Sequence, residues 1–397
     1  MESYEFLLVI AIILLSTKLL GLISERVHMP QVVGALIAGI LLGPSVLGLV
    51  TETDFLLKTS EIGVIMLMFL AGLDTDLGEL KKTGVASFVI ALIGVIVPLA
   101  GGTACYELFF RDAADPLDFL KAVFIGVVLT ATSVSITVET LREMGKLKGK
   151  VGTAILGAAV IDDVLGIIIL TVISGFADSS VNPLMVFVRI GLFFVFIGVV
   201  GFVCYRVFQK MDVIWAHHRR LAIVSISFCF ILSYVAEVFF GIADITGAYF
   251  AGIILCNIME LREYVAKKIN IMNYMFFSPV FFASIGIKTV LDGMNAEIAV
   301  FSLVLLVIAV LSKVIGCGLG AKACGFGGHD SLCIGVGMIS RGEVALIVAQ
   351  KGAAVGLIDT HMFPAIVLVV IVTTLITPIL LKMVMGREKK TPVQAGA

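Results

Sequence analysis

Two adjacent carboxylates lie near the middle of a long apolar stretch of the chain. Asp162 and Asp163 are flanked on both sides by apolar residues within the segment 151–175. Each charged carboxylate costs ~2.5–3.5 kcal/mol at the centre of a membrane helix, even on the lenient insertion scale. Neighbouring residues lie ~100° apart around a helix, so one carboxylate can face a water-filled cavity while the other meets a cation. The pair indicates an ion or proton site, and a purely structural ion pair is the alternative.

A lysine in another apolar stretch is the expected cation. Lys313 lies within the segment 297–321, too far from its end to reach the membrane surface easily. The charged form of a lysine is costly away from water unless a carboxylate pairs with it. A Lys–Asp pair could therefore act as a proton switch, charged while paired and able to release its proton when the partner is taken. The alternative is a lysine whose ammonium reaches the inner surface.

Polar residues interrupt two further apolar stretches at corresponding places in the two halves of the chain. Thr132 and Ser133 interrupt the segment 119–139 and offer hydroxyl and backbone oxygens, which hard cations prefer. Interhelical hydrogen bonding is the alternative for these hydroxyl groups. Arg341 and Glu343 interrupt the segment 331–350, where they could neutralise the charged ends of half-helices or pair with each other. Paired interruptions of this kind indicate a site at the membrane midplane.

The composition excludes an ordinary soluble enzyme. Hydrophobic residues make up 60% of the 397-residue chain and charged residues only 14%, against ~25% charged in soluble domains. The 28 Lys and Arg residues nearly balance the 29 Asp and Glu residues, so the charge gives no reason to expect a nucleic-acid partner. The residues before the first apolar stretch lack the positive charge of a cleavable signal.

Apolar segments of spanning length alternate with short charged loops, which predicts an all-α polytopic membrane protein. Lys and Arg residues concentrate in every second loop, which predicts an outside N-terminus and a cytoplasmic C-terminus in the plasma membrane. Spans 1–6 and 8–13 would form two inverted six-helix repeats around connector span 7, with spans 5 and 12 as crossed interrupted helices. The predicted spans are 5–23, 31–50, 61–77, 84–104, 119–139, 151–175, 184–208, 220–240, 243–259, 274–290, 297–321, 331–350 and 362–385.

The motifs and their order resemble the second branch of the cation/proton antiporter superfamily, most closely the NapA-type bacterial Na+/H+ antiporters. The resemblance rests on Asp162-Asp163, Thr132-Ser133-Val134, Lys313, Arg341-Gly342-Glu343 and, more weakly, 72–77. It implies a homodimeric elevator transporter in the lipid bilayer that needs no cofactor beyond the transported Na+ and H+. It also implies that Asp163 binds the cation or protons in turn, as the Na+ ligand, and that Asp162 pairs with Lys313.

The same resemblance implies a division of the chain into a moving core and a dimerisation domain. The short tail after the last span argues against a ligand-gated potassium-efflux system, which carries a nucleotide-binding domain there. The implied parts are 1–83 and 219–296 for the dimerisation domain, 84–175 and 297–386 for the core, 176–218 for the connector helix and 387–397 for a cytoplasmic tail.

We expect a Na+(Li+)/H+ antiporter, electrogenic, in which cation and protons compete for Asp163. A K+/H+ antiporter of the same family and a sodium-coupled solute symporter of similar fold are the alternatives. An intramembrane aspartyl protease is disfavoured, because its two Asp residues must come from different helices to share a proton. Adjacent residues of one helix point apart, so we do not expect an enzyme.

Overall fold

The regular structure of the chain is helical. The computed structural model describes residues 4–27, 29–112, 115–177, 183–214, 218–288, 296–354, 356–358 and 362–386, and no β-strand occurs within these ranges. The predicted all-α class is therefore confirmed. The helices are α1 (Glu5–Arg26), α2 (Gln31–Leu42), α3 (Asp54–Asp74), α4 (Leu77–Phe110), α5 (Asp118–Thr130), α6 (Val134–Glu143), α7 (Lys150–Ala177), α8 (Pro183–Ile214), α9 (His218–Val235), α10 (Asp244–Leu255), α11 (Met259–Met272), α12 (Ser278–Ile287), α13 (Ala296–Ala323), α14 (Gly328–Gly337), α15 (Glu343–Ala354) and α16 (Phe363–Met385).

Most of these helices could cross a membrane. Ten helical segments within the described ranges are long and apolar enough to do so, and α2 and α10 are shorter apolar helices. Two of the ten segments combine neighbouring helices, α5 with α6 and α11 with α12. The second combination runs through a π-helical turn at Asn273–Phe277, and another such turn, Ala236–Phe240, extends α9. The multi-pass architecture is thus established, whereas the number of thirteen spans stays a prediction.

Two helices begin seven residues before the corresponding predicted spans, and N-terminal capping explains both. Helix α3 begins at Asp54 rather than 61, because the Thr53 hydroxyl accepts a hydrogen bond from the backbone N–H of Leu56 at 3.2 Å. Helix α4 begins at Leu77 rather than 84, because the Asp76 carboxylate accepts hydrogen bonds from the backbone at residues 78 and 79. Each cap satisfies backbone donors that would otherwise lack partners, so polar first turns can join the apolar helix.

The helices pack into two groups. One group contains α4 to α7 with α13 to α16, and its most extensive contact is between α13 and α4. The other contains α1 to α3 with α9 to α12, where α10 packs on α3 and α12 packs on α2. Helix α8 lies against α7 of the first group and α10 of the second. These groups resemble the core and dimerisation division expected from the sequence, whose functional meaning stays a prediction.

Glycines permit the closest helix crossings of the second group. Gly72 of α3 faces Gly252 of α10, and a methyl group on either glycine would collide with the backbone of the opposite helix. In membranes, small residues at such crossings allow the backbones to pack tightly where no hydrophobic driving force acts.

Candidate cation and proton site

A buried ion pair joins α7 to α13. The Lys313 ammonium donates a hydrogen bond to Asp162 Oδ1 at 3.0 Å, and the two side chains are 0% and 1% exposed. The other carboxylate oxygen, Asp162 Oδ2, is buried and has no hydrogen-bond partner within the described part of the chain. Lys313 therefore binds Oδ1 of this carboxylate, and Oδ2 can still accept a hydrogen bond or bind a cation.

Helix α4 positions both partners of the pair by packing closely against α7 and α13. Gly157 of α7 lies so near Ser87 that an added Cβ would be 2.6 Å from the serine hydroxyl. Gly320 of α13 lies against the backbone of Ile90, where a Cβ would be 3.0 Å from the Cα atom. Small residues at these crossings let α7 and α13 both pack closely on one long helix.

Asp163 lies beside Asp162 on α7 and is also buried, with 6% of the residue exposed. The two carboxylates leave the helix ~100° apart, so they cannot share one direction. The structure thus separates the neighbouring acids, with Asp162 directed to Lys313 and Asp163 to a different side of α7.

The two interrupted helices cross at their breaks. Helix α5 ends at Thr130 and α6 begins at Val134, while α14 ends at Gly337 and α15 begins at Glu343. The Ser133 N–H donates to the Ser340 carbonyl at 2.8 Å, and the Ser340 hydroxyl donates to the Ser133 carbonyl at 2.8 Å. Hydrogen bonds between the breaks therefore satisfy backbone groups that a continuous helix would have satisfied internally. The crossed arrangement predicted for spans 5 and 12 is present.

The predicted polar residues of the first break present oxygen atoms. The Thr132 hydroxyl is buried and has no hydrogen-bond partner among the described residues. The Ser133 hydroxyl lies 3.2 Å from that of Ser135. A buried hydroxyl without a partner is costly, so it marks a place where a cation or a water could bind.

Arg341 neutralises the second break through carbonyl groups. Its side chain is buried, and its guanidinium donates to the carbonyls of Ile339 and Ala309, the second bond measuring 3.1 Å. The hydroxyl groups of Thr373 and Thr374 on α16 bond to the Arg341 backbone. Arg341 thus joins the break to α13 and α16. Glu343 begins α15, and its side chain lies outside the described part of the structure.

Sequence reasoning missed several residues that hold the site together. Thr137 donates to the Gly337 carbonyl at 2.7 Å across the crossing, and Ser340 bridges the two breaks. Both are polar residues within interrupted spans, and that was the available signal. Thr373 and Thr374 gave no such signal, because hydroxyl groups in apolar helices usually bond to their own helix.

A charged segment at the end of α6 joins the two helix groups. The Glu143 carboxylate accepts hydrogen bonds from the backbone N–H groups of Gln31 at 2.7 Å and Val32 at 3.2 Å, at the start of α2. Lys148 pairs with Asp74 at the end of α3, with 3.0 Å between the charged atoms. These contacts between the two helix groups were not predicted from the sequence.

Comparison with known proteins identifies relatives along nearly the whole chain. The model of the family described as "Sodium/hydrogen exchanger, transmembrane" matches residues 10–386. The Na(+)/H(+)-K(+) antiporter GerN of Bacillus cereus is 44% identical over 393 residues, which cover 98% of each chain. The Na(+)/H(+) antiporter of Enterococcus hirae is 36% identical over 383 residues, covering 95% of this chain and 97% of that one.

A solved structure shows the same fold. The sodium proton antiporter MjNhaP1 of Methanocaldococcus jannaschii at pH 8 aligns with a TM-score of 0.70 and 16% identity, covering 98% of this chain and 99% of that one. An electron-microscopy map of the same protein gives a TM-score of 0.76 at 17% identity, covering 97% of each chain. At this level of identity the likeness concerns the fold alone.

Proposed function

The chain belongs to the sodium/hydrogen exchanger family of cation/proton antiporters, and from that premise we propose that it exchanges Na+ or Li+ for H+. The observation that carries the proposal is the buried Asp162–Lys313 pair on α7 and α13, next to Asp163 and beside two crossed helix breaks. Buried ionisable groups at such a place are costly and are kept for ion or proton transfer.

Competition at Asp163 couples the two fluxes in this proposal. A cation binds to the ionised carboxylate, whereas a proton neutralises it, so one group cannot hold both. The Thr132 hydroxyl and the backbone oxygens of the breaks supply further hard oxygen ligands for the cation. Either loaded form can cross the membrane. The empty site keeps a buried negative charge that neither a cation nor a proton neutralises, and such a charge is too costly to move.

The helix packing supports an elevator movement within a homodimer. The acids, the lysine and both breaks all belong to the group containing α4 to α7 and α13 to α16. That group would move as the core, while α1 to α3 and α9 to α12 would form the fixed, dimerising part in the plasma membrane. The N-terminus would lie outside and the C-terminus in the cytoplasm, as the distribution of Lys and Arg residues favours.

Lys313 could supply a second proton and make the exchange electrogenic. Asp163 loses one proton to admit Na+, and Lys313 can lose another if the cation draws Asp162 away from it. Two H+ per Na+ would then cross in each cycle. The transported ions are the only small molecules in this scheme, which contains no bond-breaking step and no cofactor.

K+ is the second candidate cation, favoured by the name of the Bacillus cereus relative, which includes both Na+ and K+. Purified protein in liposomes with an internal pH dye distinguishes the candidates when Na+, Li+ and K+ are added in turn. We expect acid-loaded vesicles to become alkaline on addition of Na+ or Li+. No response to any alkali cation, with the protein correctly inserted, would refute the proposal. Uptake of a solute that requires Na+ would instead indicate a symporter.

A further inference from the structure

A cavity between the two helix groups lies apart from the ion pair. Its volume is about 290 Å³, and it is bounded by α1, α2, α6, the π-helical turn Asn273–Phe277 and the start of α12. Only α6 belongs to the group that contains Asp162 and Lys313, so the cavity is at the boundary of the two groups. Tyr274 and Met275 of the π-helical turn form one wall of the cavity. Such turns occur frequently at functional sites.

Charges of both signs line this cavity. Glu139 and Glu143 are contributed by α6, and Lys18 by α1. The Glu139 side chain is only 13% exposed and accepts a hydrogen bond from Arg142 at 3.4 Å. Each Glu143 oxygen accepts one backbone N–H from α2, which leaves lone pairs on both oxygens. The Lys18 ammonium donates to the Tyr274 hydroxyl. A ligand that fits these groups needs a hydrogen-bond-donating cation and an anionic group close together.

An unpartnered hydroxyl independently indicates a ligand. Ser278 lines the cavity with only 6% of the residue exposed, and its Oγ has no hydrogen-bond partner within the described residues. Buried polar side chains of native proteins almost always have partners, so this hydroxyl lacks a group that belongs beside it. The neighbouring walls, from Leu14, Ala35 and Phe282, are apolar. The combination is that of a polar headgroup site with apolar surroundings.

The exposed face of α1 continues the apolar surface outward from the cavity. Leu15 and Leu19, which flank Lys18, are 64% and 54% exposed, and Met275 at the cavity wall is 66% exposed. In a membrane protein such a face is covered by lipid acyl chains. The cavity therefore opens where a lipid can place its chains along α1.

We propose that this cavity binds the headgroup of a phospholipid carrying a primary ammonium group. The ammonium donates to the carboxylate of Glu139 and to Glu143, and the phosphate accepts from Lys18. Ser278 supplies a further hydroxyl contact. A primary ammonium has three N–H donors for two carboxylates, whereas the quaternary ammonium of a choline lipid has none. A purely anionic headgroup brings no donor for the remaining lone pairs of Glu139 and Glu143, so it is disfavoured.

Lipid bound here would join α6 to α1 and α12. It would therefore stabilise one arrangement of the two helix groups, in the leaflet that the proposed topology makes cytoplasmic. Binding does not depend on ion exchange, so its test can fail while the antiporter proposal stands, and the reverse.

The test is thermal unfolding of detergent-solubilised protein with added lipids of identical chains. Phosphatidylethanolamine should raise the melting temperature by several degrees more than phosphatidylcholine or phosphatidylglycerol. Glu139→Gln should remove the ethanolamine-specific shift, and Ser278→Ala and Lys18→Gln should each reduce the total shift that phosphatidylethanolamine produces. Glu79→Gln, which changes a carboxylate paired with Lys82 outside the cavity, is the matched control and should keep the full shift.

Further measurements decide whether the ligand is a whole lipid or a free headgroup, and whether it binds in this cavity. Soluble glycerophosphoethanolamine should give little stabilisation, because the acyl chains contribute to binding, and a full effect would show that the free headgroup is the ligand and overturn the lipid proposal. Equal stabilisation by ethanolamine and choline lipids would also overturn it. If Glu139→Gln does not fold, Lys18→Gln decides the matter, since Lys18 is exposed and its change should be tolerated. An undiminished total shift with phosphatidylethanolamine in that variant would refute the site.

Discussion

The Lys313 ammonium lies 3.0 Å from Asp162 Oδ1, and both side chains are almost completely buried on neighbouring helices of one group. Removing two charges from water is expensive, and their attraction offsets this cost only when the geometry is good. The pair is therefore weak evidence for stability in itself. Removing one partner, however, leaves the other as an uncompensated buried charge. Replacing either residue therefore gives a sensitive test of the pair.

Replacing the lysine should destabilise the protein. Lys313→Gln leaves Asp162 buried without its cation, and breaking a buried pair in this way typically costs ~3–5 kcal/mol. We expect a clearly lower melting temperature in detergent. Lys82→Gln is the matched control, because the Lys82–Glu79 pair has a similar distance of 2.9 Å but a 73% exposed lysine, and its melting temperature should not change. Equal melting temperatures for Lys313→Gln and the wild type would contradict the pair.

Neutralising Asp163 should abolish exchange without unfolding the protein. Asparagine keeps the shape of the side chain but removes the charge for which cation and proton are proposed to compete. Transport by Asp163→Asn in proteoliposomes should fall to the protein-free background, while gel filtration still shows folded protein. If exchange at saturating Na+ survived at the wild-type rate, the cation would bind another carboxylate, and Asp162 would be the first to examine.

Exchange should respond to the membrane potential. Moving one elementary charge across the membrane is worth ~2.3 kcal/mol per 100 mV, so a cycle of two H+ per Na+ must be driven by voltage. The initial rate should change when valinomycin and a K+ gradient clamp the potential, whereas any residual exchange by Lys313→Gln should be electroneutral. A wild-type rate that ignores the potential would refute the two-proton scheme. Because K+ is itself a candidate cation, the clamp needs a control in which the K+ gradient is applied without valinomycin.

The contact between the two helix breaks should matter for both stability and rate. Ser340→Ala removes the hydroxyl that donates to the Ser133 carbonyl, and a buried acceptor left without its partner costs ~1–3 kcal/mol. We expect a lower melting temperature and slower exchange. The control is Ser16→Ala, because the Ser16 hydroxyl bonds within its own helix, to the Ile13 carbonyl. A stable, fully active Ser340→Ala variant would show that the crossing does not depend on this bond.

The charged and polar features that are energetically costly in a membrane could be identified from the sequence. Charges in apolar segments, such as Asp162 and Lys313, and polar interruptions, such as Thr132–Ser133, are visible because hydrocarbon makes them costly. The start of α4 was not predictable from hydropathy, because the Asp76 cap extends the helix into a polar turn. The Glu143 contact with α2 joins a side chain to backbone N–H groups, which every residue type offers, so no pattern in the sequence specifies it.

The hydrogen-bond partners of Arg341 could also not be predicted from the sequence. The position of Arg341 beside a break predicted a role in neutralising helix ends, and its guanidinium donates to the carbonyls of Ile339 and Ala309. Which carbonyls are within reach depends on how the broken helix packs against α13, and this is a property of the tertiary structure rather than of the local sequence.

The central claim is that cation and proton compete for one buried carboxylate, and the pH dependence of the apparent Na+ affinity tests it most directly. The KM for Na+ should be measured in proteoliposomes from pH 6 to pH 9 with the potential clamped to zero. Because a cation ligand must be deprotonated to bind, KM should rise by at least ~10-fold for each unit of pH lowered below the range where the site titrates, while the rate at saturating Na+ changes much less. A KM that stays constant across this range, with only the maximal rate changing, would contradict the account.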